Sequence, residues 1–229
     1  MAGSDFGSST FAAWRAAAAA DWNDYVGHDF VRKLGDGSLP RSAFLHYLVQ
    51  DYVFLIHFSR AWALAVVKSE SLEEMKTAAG TVDALVNHEM QLHVQICKEA
   101  GIDEEALYTA EEAFENLAYT RYVTDAGLSG DFLDMMAALA PCVFGYGEIG
   151  ATLKQTAAAD TPYQDWVDTY AGADYQGVCT TVGTMIDNAV SARLGSVPEE
   201  SPRWTRLCAR FRTATRLEVG FWDMGLRGK

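Results

Sequence analysis

Apolar side chains recur at helical spacing along most of these 229 residues, and no stretch alternates with period 2 between turn dipeptides. One stripe reads Phe44, Tyr47, Leu48, Asp51, Phe54, Leu55, Phe58 and Trp62. A second reads Met135, Leu139, Cys142, Tyr146, Ile149 and Leu153, and a third Trp204, Cys208, Phe211, Glu218, Phe221 and Trp222. Each follows the i, i+3, i+4, i+7 rule of a helix face turned inward. Such faces can be buried only against other helices, so the chain is constrained to an all-α bundle. Asp51, Cys142 and Glu218 each occupy a position where the stripe calls for an apolar residue. A buried carboxylate needs a partner, a shifted pKa or a ligand, so these three residues are the first candidates for a buried reaction site.

Glycine and proline punctuate the pattern. Helices are expected over about 11–26, 41–68, 72–100, 110–126, 130–159, 162–170, 172–194 and 203–226. Gly35-Asp36-Gly37 forms a turn, Pro40 opens the second helix, Gly101 closes the third, and Pro198 and Pro202 set off the last. No linker, repeat or low-complexity tract divides the chain. The expectation is one domain over 1–229, a bundle of seven or eight helices, with a small, polar and flexible start over 1–8.

The formal net charge of −13 and a pI of about 4.7 repel nucleic acid and anionic lipid, and no Lys/Arg-rich run offsets them. The apolar stretch near 54–67 carries His57 and Arg60 and is too short to span a bilayer. No signal-like segment opens the chain, and the four cysteines show no C-x-x-C spacing. A cytoplasmic setting with free thiols is expected, with no membrane or nucleic-acid partner.

Each candidate also has a plainer reading. Cys142 follows Pro141 inside a helical pattern, and Gly145, Gly147 and Gly150 should thin that helix and leave space beside it; a structural buried cysteine is the alternative. Asp51 could simply pair with Arg60 or Arg121, whereas Glu218 has no obvious partner in sequence. Tyr119, Tyr146, Tyr170 and Phe221 are either core residues or a ring stack suited to a flat polar heterocycle. Glu89 and His93 stand at i, i+4. Carboxylate-bridged di-iron bundles instead use Glu-x-x-His on two helices, so no metal is expected. Nor does any glycine-rich phosphate loop call for a nucleotide cofactor.

Gly37-Ser38-Leu39-Pro40, Phe44, Tyr47, Gln50-Asp51-Tyr52, Phe54-Leu55 and Phe58 together resemble the opening of the TenA, or thiaminase II, family. The similarity continues through Glu89 and His93, Leu128-Ser129-Gly130, Pro141-Cys142, Tyr146, Glu148-Ile149-Gly150, Tyr163, Trp166 and Thr169-Tyr170. It closes on Glu218 and Phe221-Trp222-Asp223-Met224. The motifs run in order over nearly the whole chain.

The resemblance implies a fold like that of haem oxygenase without haem, and a homotetrameric hydrolase. Its substrates would be 4-amino-2-methylpyrimidines bearing a 5-methylene leaving group: aminomethylpyrimidine, or thiamin itself. It implies Cys142 as nucleophile in the cysteine-containing branch, Asp51 on the ring nitrogen and exocyclic amine, and Glu218 as general acid. Tyr119, Tyr146 and Tyr170 would shape the pocket and Phe221 would stack on the ring. Phe54 stands where other members carry Tyr, and Val143-Phe144-Gly145 is leaner than usual; both bear on substrate preference. The competing readings are an oxidoreductase of the same fold with a di-metal or organic cofactor, and a non-catalytic pyrimidine-binding regulator.

Overall fold

A computed structural model describes residues 4–228. Among the described residues there is no strand. Twelve α-helices follow in order: α1 (Ser9–Ala17), α2 (Ala19–Val26), α3 (Asp29–Asp36), α4 (Arg41–Lys68), α5 (Leu72–Ala84), α6 (Met90–Glu99), α7 (Glu104–Tyr108), α8 (Phe114–Ser129), α9 (Phe132–Thr156), α10 (Gln164–Ala171), α11 (Ala173–Leu194) and α12 (Pro202–Arg227). The all-α expectation holds, but the count of seven or eight is too low.

Two expected helices are broken, and two short ones, α3 and α7, fell in stretches read as loop. The helix expected over 11–26 breaks at Ala18, whose N–H is shared between the Trp14 and Arg15 carbonyls. No glycine or proline marks that break; Trp14, Ala18 and Trp22 are all buried, so packing sets it. The helix expected over 72–100 is interrupted by a wide π turn, Leu85–Glu89, between α5 and α6. Such turns cluster at functional sites, and this one carries Glu89.

Helices α4 and α9 form the centre. α4 packs against α5, α8, α12 and α6, and α9 against α12, α10, α8 and α11. Every residue of α9 from Met135 to Gly147 is buried. By length and composition α9 could cross a membrane, but 89% of its most apolar window is covered by the rest of the protein. Its start is held by a capping box, Asp131 with Asp134. Arg203 at the start of α12 binds both caps, reaching Asp131 at 2.6 and 2.7 Å and Asp134 at 3.2 Å. That clamp fixes the register of the helix carrying Cys142 against the helix carrying Glu218.

The glycines after Cys142 do not leave space. A Cβ at Gly145 would lie 2.0 Å from Tyr25 Cε1, and one at Gly150 would lie 2.5 Å from the Tyr170 carbonyl carbon. They allow Tyr25 and α10 to approach α9 closely, so the expected gap is a tight contact instead. The start of the chain also differs from the expected flexible segment. Phe6 stacks on Phe144 at 5.6 Å, and Ser8 Oγ donates to Asp187 Oδ1 at 2.9 Å. Residues 1–3 of that segment lie outside the described residues.

Candidate active site

Cys142 lies at the middle of α9 and is 8% exposed. That exposure opens onto a cavity of about 710 Å³, whose wall includes Leu55 and Phe58 of α4, Leu85 and Glu89 of the π turn, and Tyr175 of α11. Of the residues given a catalytic or substrate-binding role from the sequence, Cys142 is on this wall. Asp51, Glu218, Phe54, Tyr119, Tyr146, Tyr170 and Phe221 are buried in the surrounding core, each within a few per cent of complete burial.

Asp51 does not pair with an arginine. Arg60 is exposed, and Arg121 is held by Glu112 at 2.7 Å. The partner is His93 of α6, whose Nε2 lies 2.6 Å from Asp51 Oδ2. His93 Nδ1 lies 3.0 Å from the Glu89 carbonyl oxygen. A carbonyl can only accept, so Nδ1 carries a proton, and Nε2 and Asp51 share a second one. Burial opposes charge on His93, yet the Asp51 hydrogen bond and charge outweigh it and raise the imidazole pKa. Both ring nitrogens are engaged, which leaves none for a metal. Tyr47 donates to the same Asp51 oxygen at 3.0 Å and accepts from Trp166 Nε1 at 3.2 Å. Its hydroxyl is also 3.4 Å from that of Tyr146. Asp51, His93, Tyr47, Trp166 and Tyr146 thus form one chain of hydrogen bonds.

Glu218 of α12 accepts from the Tyr119 hydroxyl of α8 at 2.9 Å. Burial pushes its pKa up to about 8 and the Asp51 charge adds to this, while Tyr119, Tyr25 and the Cys142 thiol pull it back. The Tyr25 hydroxyl makes no hydrogen bond of good geometry, so it is a polar neighbour of this carboxylate rather than a partner. Near neutrality Glu218 therefore carries a proton. Phe221 and Tyr119 both pack on Phe54, with ring centroids 5.5 and 5.0 Å away. Phe54 has no hydroxyl to add to this polar layer.

The thiol of Cys142 has an unusual setting. Burial pushes its thiol well above the ordinary value, and the charges of Glu218, Glu89 and Asp51 push in the same direction. Reactive thiols are normally held low by a cation or helix N-terminus. Here the resting group is a thiol, so any reaction through its sulfur needs a base to take the proton.

The sequence sets Glu89 one turn from His93 without marking it as a site residue. It lines the cavity with Cys142, and its Oε1 accepts from Tyr170 at 2.8 Å. Burial raises its pKa to about 7, the His93 charge lowers it, Asp51 raises it, and the Tyr170 hydrogen bond lowers it. Leu85, His93 and Cys97 are buried on one helical face, so the inward polar position that flagged Asp51 also flags His93. Tyr47, Trp166 and Tyr25 gave no such signal, because aromatic residues on a stripe read as core.

A profile of the TENA/THI-4/PQQC family matches residues 15–228. The chain is 36% identical over 205 residues to the aminopyrimidine aminohydrolase of Halalkalibacterium halodurans, covering 89% of each. It is 28% identical over 215 residues to the aminopyrimidine aminohydrolase of Bacillus subtilis, covering 93% of this chain and 88% of that one. Among solved structures, a Silicibacter protein described as a TenA family transcription regulator superposes with a TM-score of 0.94 at 61% identity. That match covers 96% of this chain and 97% of the other. The motif resemblance, the all-α architecture and a profile match from the first helix to the last agree: the chain belongs to the TENA/THI-4/PQQC family.

Proposed function

We propose that this protein is a hydrolase of thiamin salvage that cleaves the 5-methylene substituent from 4-amino-2-methylpyrimidines. It would convert aminomethylpyrimidine to hydroxymethylpyrimidine and ammonia, and thiamin to hydroxymethylpyrimidine and the thiazole alcohol. One observation carries the reading: the cavity-wall thiol of Cys142 lies within the electrostatic reach of three unlike carboxylates, Glu218 protonated near neutrality, Asp51 paired with His93, and Glu89 on the cavity wall. That is the set a covalent displacement on an aminopyrimidine needs.

In this reading the Cys142 sulfur adds to the ring carbon beside the substituted one, and a proton from the Asp51–His93 pair meets the charge developing on the ring nitrogen. Addition removes aromaticity, so the amino-substituted ring can push out the 5-methylene group, dividing one hard step into two easier ones. Glu218 gives its proton to the departing amine and recovers one from the water that adds to the methylene. A positioned acid of this kind contributes about 10²–10⁴-fold. Expulsion of sulfur restores the ring. Tyr119, Tyr146 and Tyr170 orient the polar groups, and Phe221 packs against the ring. The protein would act as a cytoplasmic homotetramer of one-domain subunits, without metal or organic cofactor.

Turnover of aminomethylpyrimidine and thiamin by the purified protein, followed by separation of the pyrimidine products, tests the proposal. Failure to release hydroxymethylpyrimidine from either compound would overturn it. The description of the Silicibacter relative favours a second reading, a pyrimidine-binding regulator without catalysis. A net charge of −13 works against direct DNA binding, and the same assay separates the two readings.

A further inference from the structure

We propose that Glu89 is a further catalytic residue, whose carboxylate accepts the thiol proton of Cys142 as sulfur attacks the ring. The inference rests on the covalent reading above and adds the base that it lacks.

Elimination among the groups around the thiol leads to Glu89. Glu218 holds a proton near neutrality and is reserved for the departing amine. Asp51 Oδ2 is already engaged by His93 and Tyr47, and both His93 nitrogens are occupied. The hydroxyls of Tyr25, Tyr119, Tyr146 and Tyr170 are protonated, their pKa values raised by burial. Glu89 differs from all of these. It shares the cavity wall with Cys142, so the two can act on one bound molecule. Tyr170 anchors Oε1 at 2.8 Å, while Oε2 makes no hydrogen bond among the described residues. Its pKa of about 7 leaves a substantial carboxylate fraction near neutrality.

Glu89 is shifted by Asp51 of α4, His93 of α6 and Tyr170 of α10, and its own charge raises the Cys142 thiol of α9 and the Tyr175 hydroxyl and Cys179 thiol of α11. His88, Asp168 and Asp174 share its cavity wall. Of the groups that shift it only His93 can be cationic, so Glu89 is poised by burial against that one charge.

The step balances. The S–H bond breaks, its proton moves to Glu89 Oε2, and the sulfur electron pair forms the C–S bond. The electron pair displaced onto the ring nitrogen takes a proton from the Asp51–His93 pair. When the C–S bond breaks after water has added, the sulfur recovers its proton from Glu89 and the ring nitrogen returns its own.

The test uses Glu89→Gln with two readouts. The first is alkylation of Cys142 by iodoacetamide across pH, without substrate, quantified on the Cys142 peptide by mass spectrometry. The second is kcat on aminomethylpyrimidine. Removing a nearby negative charge should make the thiol easier to ionise, so alkylation at neutral pH should rise several-fold. Removing the proton acceptor should nevertheless lower kcat by about 10²–10⁴-fold. A kcat within about threefold of the parent would overturn the proposal. Alkylation and turnover falling together would mark a collapsed site, and the decision then passes to Tyr170→Phe.

Tyr170→Phe gives a second route if the glutamine variant does not fold. Loss of its hydrogen bond should raise the Glu89 pKa and move the acidic limb of kcat/KM to higher pH; an unmoved limb counts against the proposal. If no pyrimidine is turned over, the functional reading itself has failed. The alkylation arm then decides alone, and a Cys142 profile unchanged by Glu89→Gln refutes the coupling.

Discussion

Glu218→Gln should make the protein more stable at neutral pH while disabling it. Glu218 is 2% exposed, and burial raises its pKa from 4.5 in the unfolded chain to about 8 in the folded one. Below about pH 4.5 both states carry the proton, and the group costs nothing. Between that point and about pH 8 only the unfolded state releases its proton, so stability falls as pH rises. Above about pH 8 the folded state ionises too, and the loss levels off. Each unit of separation is worth about 1.4 kcal/mol, so the deficit is about 1 kcal/mol near pH 5 and about 4 kcal/mol near pH 8.

Glutamine has nearly the same shape, keeps an oxygen to accept from Tyr119, and cannot ionise. The variant should therefore gain little at pH 5 and about 3–4 kcal/mol at pH 8, of the order of 6–16 °C in Tm for a chain of this length. Thermal and urea denaturation of parent and variant at both pH values measure this. The comparison removes contributions from other groups, including Glu89, which titrates in the same direction. A parent-to-variant difference independent of pH, or one that grows toward acid, would refute the view that burial holds this carboxyl protonated.

The other expectations concern the proposed reaction and the packing beneath it. Cys142→Ser should lower kcat by several orders of magnitude with substrate still bound, and near-normal turnover would remove the covalent step. Asp51→Asn should raise KM and lower kcat, because the amide cannot share a proton with His93 2.6 Å away. A product complex with Asp51 more than about 5 Å from every ring nitrogen would exclude the ring-holding role. Glu218→Gln should harm aminomethylpyrimidine hydrolysis more than thiamin cleavage, since thiazole leaves neutral without a proton; equal losses would restrict Glu218 to water or to the thiol. Gly145→Ala would place a Cβ 2.0 Å from Tyr25 Cε1. It should cost about 1–3 kcal/mol, and unchanged thermal stability would mean that Tyr25 moves freely.

The class of fold was legible because an inward helix face leaves a periodic trace, and α4 shows how far that trace reaches: its bounds, Arg41–Lys68, are those expected from Pro40 and the apolar run. The same rule exposed Asp51, Cys142 and Glu218, since a polar residue on an apolar stripe stands out without any knowledge of its neighbours. All three are buried as expected. The break at Ala18 and the π turn at Leu85–Glu89 left no such trace, because no breaker residue makes them; packing of distant segments does. Partnership was equally invisible. Asp51 and His93 are 42 positions apart, and Tyr119 and Glu218 are 99 apart. Helical periodicity says which way a residue points along its own axis; only the crossing of α4 with α6, and of α8 with α12, decides what it meets. The tertiary structure likewise turned the glycines of α9 from a gap into a contact and put Glu89 on the cavity wall beside Cys142. A chain dictates its faces locally, through backbone geometry, but the electrostatics of a buried site depend on which faces converge and how much water they exclude.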